Sequence, residues 1–586
     1  MWSRISWSAR TQAATVAAIA LAIGAVPAGA ANAEPAQDAA KKVATKSGSA
    51  KKTETPTLKP EKLGVLTNDP RAFPGYNLIN PGRKQTYLFD NEGRAVHTWT
   101  SEHRSGAAVY LLDNGHLFRP SEVANRKRPF QGPAVSGRFQ EFDWDGNLVW
   151  DFEYHSEKRL PHHDAIKLPN GNILAICWEW IEEKEAIAAG RRPESVKGSH
   201  LQPDCLVEIK PTGKKTGEVV WEWRSWDHLI QDLDKNRPNY GKVSAHPERI
   251  DVNYMGREED PAPKPSAKKD GRDPKMAAAK GQSKDAQKKA PTPVVRKNPD
   301  WMHVNAVAYN AELDQIVMSS PQFCEIWIID HGTTTEEAKG HTGGRWGKGG
   351  DLLYRWGNPR AYRSGTNLDQ RLFFQHNIQW IPKGLHGEGH LLVFNNGGGR
   401  KPEEYSSVDE FVPPTDEEGN YIRTKRGPFG PDQPLWSYSA PNKKDFHSWF
   451  ISGAQRLPNG NTLINSGAVG IVFEVTPEKE IVWKFANPFK PMMSAPPAAA
   501  SGLQKSFEAF ANAIRDALGM KVAVRGSPRR PGNTLFRATR YALDHPAFAG
   551  RTLKPGRTLV EIEEAFDKQK PKADAKPNAK TAAGSK

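Results

Sequence analysis

Repeated strand phrases, an abundance of turn residues and a scarcity of helical periodicity predict an all-β chain folded as a six-bladed β-propeller. The 586 residues carry 50 Gly, 46 Pro and 18 Trp, a composition suited to many short strands joined by turns. The phrase is a strand ending in Asp-x-x-Gly or similar, a strand with Val/Ile-x-Trp, a loop, and a hairpin often centred on Asn-Gly.

Its first copy is YLFDNEGRAVHTW (87–99) with AAVYLLDNGHLF (107–118), and its second FQEFDWDGNLVWDF (139–152) with HHDAIKLPNGNIL (162–174). The third is CLVEIKPTGKKTGEVVWEW (205–223), continuing after an insertion as HVNAVAYNAELDQIVMSS (303–320). The fourth joins CEIWIIDH (324–331) and GDLLYRWGNP (350–359) to the hairpin FFQHNIQWIPKGLHGEGHLLVFNN (373–396). The fifth has YSSVDEF (405–411), PLWSYSAP (434–441) and SGAQRLPNGNTLINSG (452–467). The sixth is GIVFEVTPEKEIVWKFANP (470–488) with NTLFRATRY (533–541). Alternating apolar residues, as in Leu148-Val-Trp-Asp-Phe, can pack between neighbouring blades, and the tryptophans of the Val/Ile-x-Trp strands supply that filling.

The propeller is expected over 73–560. Before it, residues 1–33 read as a signal peptide: Arg4 and Arg10, an apolar run over 14–26, and Ala31-Asn32-Ala33 as the cleavage site. That run is short and Ala-rich, so no stable membrane insertion is expected, and the protein is expected outside the cytoplasm, periplasmic or secreted. Residues 34–72 read as a disordered linker, 256–298 as a disordered Lys/Pro/Ala-rich insertion and 561–586 as a disordered basic tail. The amphipathic stretch 503–518 predicts a helical insertion (500–520) in the last blade.

The net charge of +15 resides entirely in the leader and these Lys-rich segments, which leaves the body near neutral. A nucleic-acid partner is therefore not expected; the basic arms are solvated spacers or tethers to an acidic surface. Cys177, Cys205 and Cys324 sit in strand-like apolar settings, have no zinc-finger spacing, and are expected buried and unpaired.

The hairpins carry the functional clue. Gly171 and Gly384 each follow a histidine by eight residues, His163 and His376. The flanking triplets are His162-His163-Asp164 and Gln375-His376-Asn377, and the aligned third copy gives His303-Val304-Asn305. Ser452 holds the corresponding place in the fifth copy, with His447 five residues earlier. Residues at the starts of innermost strands gather at one mouth of a propeller's axis, so these imidazoles are expected to converge. Converging imidazoles can hold a metal. They can instead surround an anion, one as nucleophile and the others as donors, with Arg355, Arg371 and Arg400 as nearby positive charges.

The phrases HHDAIKLPNGNIL, HVN ahead of IVMSS, CEIWIIDH, GDLLYRWGNP, FFQHNIQW, and SGAQRLPNGNTL followed by FEV and IVWKF resemble the arylsulfotransferases. The resemblance covers most of residues 75–550 and lies nearest a divergent branch of that family. It implies a six-bladed propeller that moves sulfate from an aryl sulfate ester to a phenol through a sulfated histidine, without nucleotide donor, cofactor or metal; a homodimer is compatible with it. His376 matches the nucleophile, His303 and Asn305 the oxyanion-binding pair, and His163, with His162 as its neighbour, a further ligand. Asp164, Asn377, His447, Arg355 and Arg371 are expected in support. One departure stands out: where the family has an arginine after Ser319-Ser320, this chain has Pro321 and Gln322. The family's short Cys–Cys loop also has no counterpart. The competing readings are a His-ligated metal enzyme and a non-catalytic propeller that binds sulfated or other polyanionic material.

Overall fold

Strand Gln315–Ser320 is buried along its whole length, and it shows how the repeat becomes a ring. Side chains alternate between the two faces of a strand. Ile316 and Met318 pack with Trp221 and Trp223 of the preceding sheet, while Val317 packs with Ile378 and Val393 of the following one. Each sheet in the computed structural model is sandwiched in this way. The structure describes residues 62–124, 127–256, 298–423, 427–490 and 533–569.

The result is the expected six-bladed β-propeller, each blade an antiparallel sheet with its strands ordered from the axis outward. Blade 1 is Ala538–Ala542, Gly75–Ile79, Gln85–Phe89 and Ala95–Thr100. Blade 2 is Tyr110–Leu111, Leu117–Glu122, Gly137–Phe142 and Leu148–Glu153; blade 3 is Arg159–Lys167, Ile173–Glu179, Asp204–Gly213 and Thr216–Arg224. Blade 4 is Ala306–Asn310, Gln315–Ser320, Glu325–Asp330 and Tyr354–Trp356; blade 5 is His376–Trp380, Leu391–Asn395, Ser407–Phe411 and Trp436–Tyr438. Blade 6 is Gly453–Arg456, Thr462–Ser466, Ile471–Val475 and Ile481–Ala486, with Gly64–Asn68 added on its outer edge.

The tryptophans do more than fill space. In every blade the fourth strand from the axis carries one whose indole N–H donates to a backbone carbonyl of the next blade, at or just before the start of that blade's own fourth strand. Trp99 donates to Asp143 (2.9 Å), Trp150 to Thr216 (3.1 Å), Trp223 to Gly350 (2.7 Å) and Trp356 to Pro431 (2.8 Å). Trp436 donates to Pro477 (3.3 Å), and Trp483 returns to Asn91 of blade 1 at 2.9 Å. Six clasps run in one direction around the ring and close it.

The strand phrase is out of phase with the blades by two strands. Its Val/Ile-x-Trp strand ends one blade, and its hairpin opens the next. The final NTLFRATRY therefore belongs to blade 1, where Ala538–Ala542 pairs with Gly75–Ile79, rather than to the last blade. Two described elements fall wholly or partly within stretches read as linker and tail. Gly64–Asn68 lies inside the stretch read as linker, and helix Leu559–Gln569 runs into the stretch read as tail. That helix buries Leu559 in the blade 6–blade 1 core and Glu563 against Arg83, a fully buried ion pair of 2.7 Å. The leader, the Lys-rich insertion and the helix expected over 503–518 lie outside the described residues. No described helix is long and apolar enough to cross a membrane. Cys177, Cys205 and Cys324 are buried and form no disulfide among the described residues, Cys177 facing Cys205 on the neighbouring strand.

Candidate active site

The innermost strands of neighbouring blades lie against one another, so the residues that enter them meet. Two side-chain bonds fix the register between blades 6 and 1: Gln455 donates to the Arg540 carbonyl at 2.9 Å and accepts its N–H at 2.8 Å. Three residues upstream, Ser452 and Arg537 hold equivalent places. Going round the ring, this position carries Arg537, then alanine, His163, His303, His376 and Ser452.

Several of these residues are strained. His163 and His303 sit in the left-handed region at φ 55° and 57°, Asn377 at 53°, and Ile451 and Ser452 at 48° and 96°. Non-glycine residues occupy that region at a cost of order 1–3 kcal/mol, and such strain concentrates at functional sites.

Each imidazole is oriented by groups from elsewhere in the chain. The Asn396 amide gives its N–H groups to the carbonyls of Ser448 (2.6 Å) and Ile451 (2.9 Å), which turns its oxygen towards His376. His376 Nδ1–H therefore donates to Asn396 Oδ1 at 2.8 Å and to the Phe374 carbonyl at 3.1 Å. The Nε2 lone pair is left towards the Ile451 N–H, 3.2 Å away. Burial pushes this ring's pKa down to about 3, against the Asn396 bond, so His376 is a neutral imidazole whose unprotonated Nε2 accepts the Ile451 N–H.

His162 and His163 are linked Nδ1 to Nδ1 at 2.7 Å, and His162 Nε2 meets Asp204 at 2.8 Å. Burial raises Asp204 well above the carboxylate range, and the Asp300 charge adds to it; burial lowers His162 to about 3. The pair is neutral: Asp204 O–H donates to His162, and His162 Nδ1–H to His163 Nδ1. That leaves Nε2–H as the His163 donor not used in this network. His163 is itself held well below its ordinary value by burial, then by the positive charges of His303 and Arg537.

His303 is the charged member. Burial opposes its protonation, but the Asp300 carboxylate bonded to Nδ1 raises the pKa above the ordinary value. Its ring meets that of His163 edge-on, with centroids 4.5 Å apart. Trp178 ties the two halves together, stacking on His162 at 3.9 Å and donating to Asp300 at 2.9 Å. Gly132 (φ 147°) makes room for it, since a Cβ there would stand 2.3 Å from the indole.

The second cation is Arg537, unforeseen from the sequence. Its guanidinium donates to Asp164 at 2.9 Å and to the Tyr110 hydroxyl at 2.7 Å, while Tyr110 donates to Asp164 at 2.6 Å. Asp164 and Tyr110 outweigh burial and keep Arg537 charged. Its Nε–H is buried without a hydrogen-bond partner among the described residues.

The other expected residues divide. Asn305 gives an amide N–H to the Gln375 carbonyl at 3.0 Å, so it positions the residue before His376 and keeps only its second N–H for an anion. Asn377 Oδ1 accepts from the Ala454 N–H at 3.0 Å and pins blade 5 to blade 6. His447 has Glu404 and Arg400 as its electrostatic neighbours. Arg355 is not at the axis: it lies on the outermost strand of blade 4, fully buried against Glu325 and the carbonyls of Pro247 and Arg249. Arg371 is spent on the carbonyls of Asp432 and Leu368.

The family model described as Arylsulfotransferase (ASST) matches residues 51–487. The chain belongs to the arylsulfotransferase family. This arylsulfotransferase-family chain is 24% identical over 368 residues to an arylsulfate sulfotransferase AssT of Lelliottia amnigena, covering 58% of this chain and 51% of that one. It is 23% identical, with the same coverage, to AssT of Escherichia coli O6:H1. The chain thus spans about half the length of the curated relatives it matches. A solved structure of a Bacteroides caccae protein of unknown function aligns at TM-score 0.34 and 11% identity, over 70% of this chain and 93% of that one. A likeness of that size says nothing about chemistry.

Proposed function

We propose that this chain is a nucleotide-independent sulfotransferase that moves a sulfo group from an aryl sulfate ester to a phenol through a sulfated His376. The single observation that carries the reading is the fixed tautomer of His376: Nδ1–H is committed to Asn396, and Nε2 is an unprotonated nucleophile in a ring of donors. Nε2 attacks sulfur in line; the N–S bond forms as the S–O(aryl) bond breaks, and the phenolate leaves. His163 Nε2–H gives the leaving oxygen its proton, and protons shift along His162 and Asp204 behind it. The charged His303 and Arg537, with the Ile451 N–H, hold the equatorial oxygens. The acceptor phenol then returns its proton to His163 while its oxygen forms the new S–O bond and the N–S bond to His376 breaks.

Arg537 takes the part of the arginine that Pro321 replaces. It also separates this reading from an axial metal, because a fixed guanidinium beside neutral imidazoles favours an anion over a cation. We place the reaction outside the cytoplasm on the strength of the leader-like first 33 residues.

The test is intact-mass and peptide mapping after exposure to nitrophenyl sulfate. A sulfo adduct on His376, and no transfer to phenol by His376→Asn, are expected. Full transfer by His376→Asn would sink the assignment. Polyanion binding that survives the substitution, without turnover of any aryl sulfate, would favour the non-catalytic propeller.

A further inference from the structure

Away from the axis, between the outer parts of blades 3 and 4, three ligating side chains come together. One nitrogen each of His228 and His341 and one oxygen of Asp351 lie within 4.8 Å of one another. Asp351 Oδ1 is 2.9 Å from His228 Nδ1 and 2.8 Å from His341 Nδ1. The opposite nitrogen of His228, Nε2, faces the Ala338 carbonyl at 2.8 Å. A carbonyl only accepts, so Nε2 carries the hydrogen. In the neutral ring, Nδ1 then presents a lone pair to a carboxylate oxygen, and a cation must lie between them. A proton is one such cation and a metal is another. Backing of the distal N–H by a carbonyl is also how metal-ligating imidazoles are held in tautomer and orientation.

We propose that His228, His341 and Asp351 form a binding site for a divalent transition cation, zinc being the best match to a two-histidine, one-carboxylate set. The site has a rigid side and a yielding one. His228 is fully buried and stacks parallel to Trp223, with centroids 5.7 Å apart. Gly350 closes over it so tightly that a Cβ would stand 2.6 Å from His228 Nε2. His341, by contrast, has a 40% exposed side chain on a stretch punctuated by Gly340, Gly343, Gly344, Gly347 and Gly349. Tetrahedral zinc spaces its ligand atoms about 3.3 Å apart, so binding needs each contact to open by about half an ångström, and the glycine-rich side can supply it. Its exposure also gives the ion an entry path and leaves the fourth position to water. Bound there, the ion would tie the 340–350 loop to the Trp223–Gly350 clasp, a structural role separate from the axial chemistry.

The experiment uses the full, tag-free chain. Zinc content after equilibration with ZnCl2 and gel filtration, and the thermal midpoint with ZnCl2 against a chelator, are compared for the parent, His341→Ala, Asp351→Asn and His376→Asn. One zinc per chain and a zinc-dependent rise in midpoint are expected for the parent and His376→Asn. Both should be lost in His341→Ala, whose exposed side chain makes a folding failure no explanation. A parent that retains no zinc overturns the proposal. So does zinc retained by His341→Ala and lost in His376→Asn, which would move the ion to the axis.

Discussion

Arg537 and Asp164 are joined at 2.9 Å across 373 residues of chain. The bond brings a cation carried at the entrance of the ring-closing strand to a carboxylate in blade 3. It thereby places positive charge beside His163 and His376, whose rings both feel it.

Loss of the Arg537 charge should cost catalysis more than fold when Asp164 is neutralised with it. Arg537→Gln alone leaves a buried carboxylate unpaired, a change worth about 3–5 kcal/mol of stability. The pair Arg537→Gln with Asp164→Asn removes both charges. We expect it to melt nearer the parent than the single variant does, with kcat for aryl sulfate turnover down about 10²- to 10³-fold. Steady-state kinetics with circular dichroism check this; parental turnover by the double variant would rule out Arg537 as a sulfate ligand.

The pH profile should be set by His303 rather than by His376. His376, lowered to about 3, is already neutral at pH 5, so no nucleophile titration should appear between pH 5 and 8. His303, raised by Asp300, should lose its proton on the alkaline side and bring kcat/KM down there. Asp300→Asn should move that alkaline limb to lower pH. An unmoved limb removes His303 as the acid responsible.

Stability should fall as pH falls below about 6.5. His162 and His376 stay neutral in the fold down to about 3, while the unfolded chain protonates them near 6.5. Between those values the unfolded state binds more protons, at up to about 1.4 kcal/mol per pH unit for each group. His303, with its raised value, contributes in the opposite sense: its stabilisation is complete below about 6.5 and disappears as pH rises through the folded value. Asp204, held up by burial, likewise loses its contribution as pH rises. Urea titrations from pH 4 to 8 should give a shallower acid slope for His376→Asn than for the parent. Equal slopes would contradict a neutral buried His376.

The clasp between blades 6 and 1 should be worth more than that between blades 5 and 6. Trp483 is fully buried with a 2.9 Å bond, whereas Trp436 is half-buried with a 3.3 Å bond. Replacing each by Phe removes the donor and strands a carbonyl; we expect about 1–3 kcal/mol for Trp483→Phe and less for Trp436→Phe. Urea unfolding ranks them, and the reverse order would refute the clasp as the source of stability.

The blade repeat and the three axial histidines were legible because both are periodic. A strand that must fill two interfaces shows continuous or alternating apolar residues, and His163, His303 and His376 fall at one register of it. Arg537 was hidden by phase. Read as the end of a sixth copy, NTLFRATRY has no reason to face the axis; aligned on Gln455 and Arg540 as an innermost strand, its arginine falls opposite Ser452. Asp204 and Asp300 were hidden by connectivity, one on a third strand and the other just past an insertion. Arg355 misled for a related reason: closeness along the chain to His376 does not bring it near the axis, because it sits on an outermost strand.

The six tryptophan clasps were half legible. The donor is always indole, but the acceptors belong to Asp143, Thr216, Gly350, Pro431, Pro477 and Asn91, five residue types at six positions with a main-chain oxygen in common. Every amino acid brings that oxygen. The rim thus asks for one residue type per blade and accepts any sequence opposite it. A molecule latched in this manner can change what it recognises in the middle without unfastening its circumference.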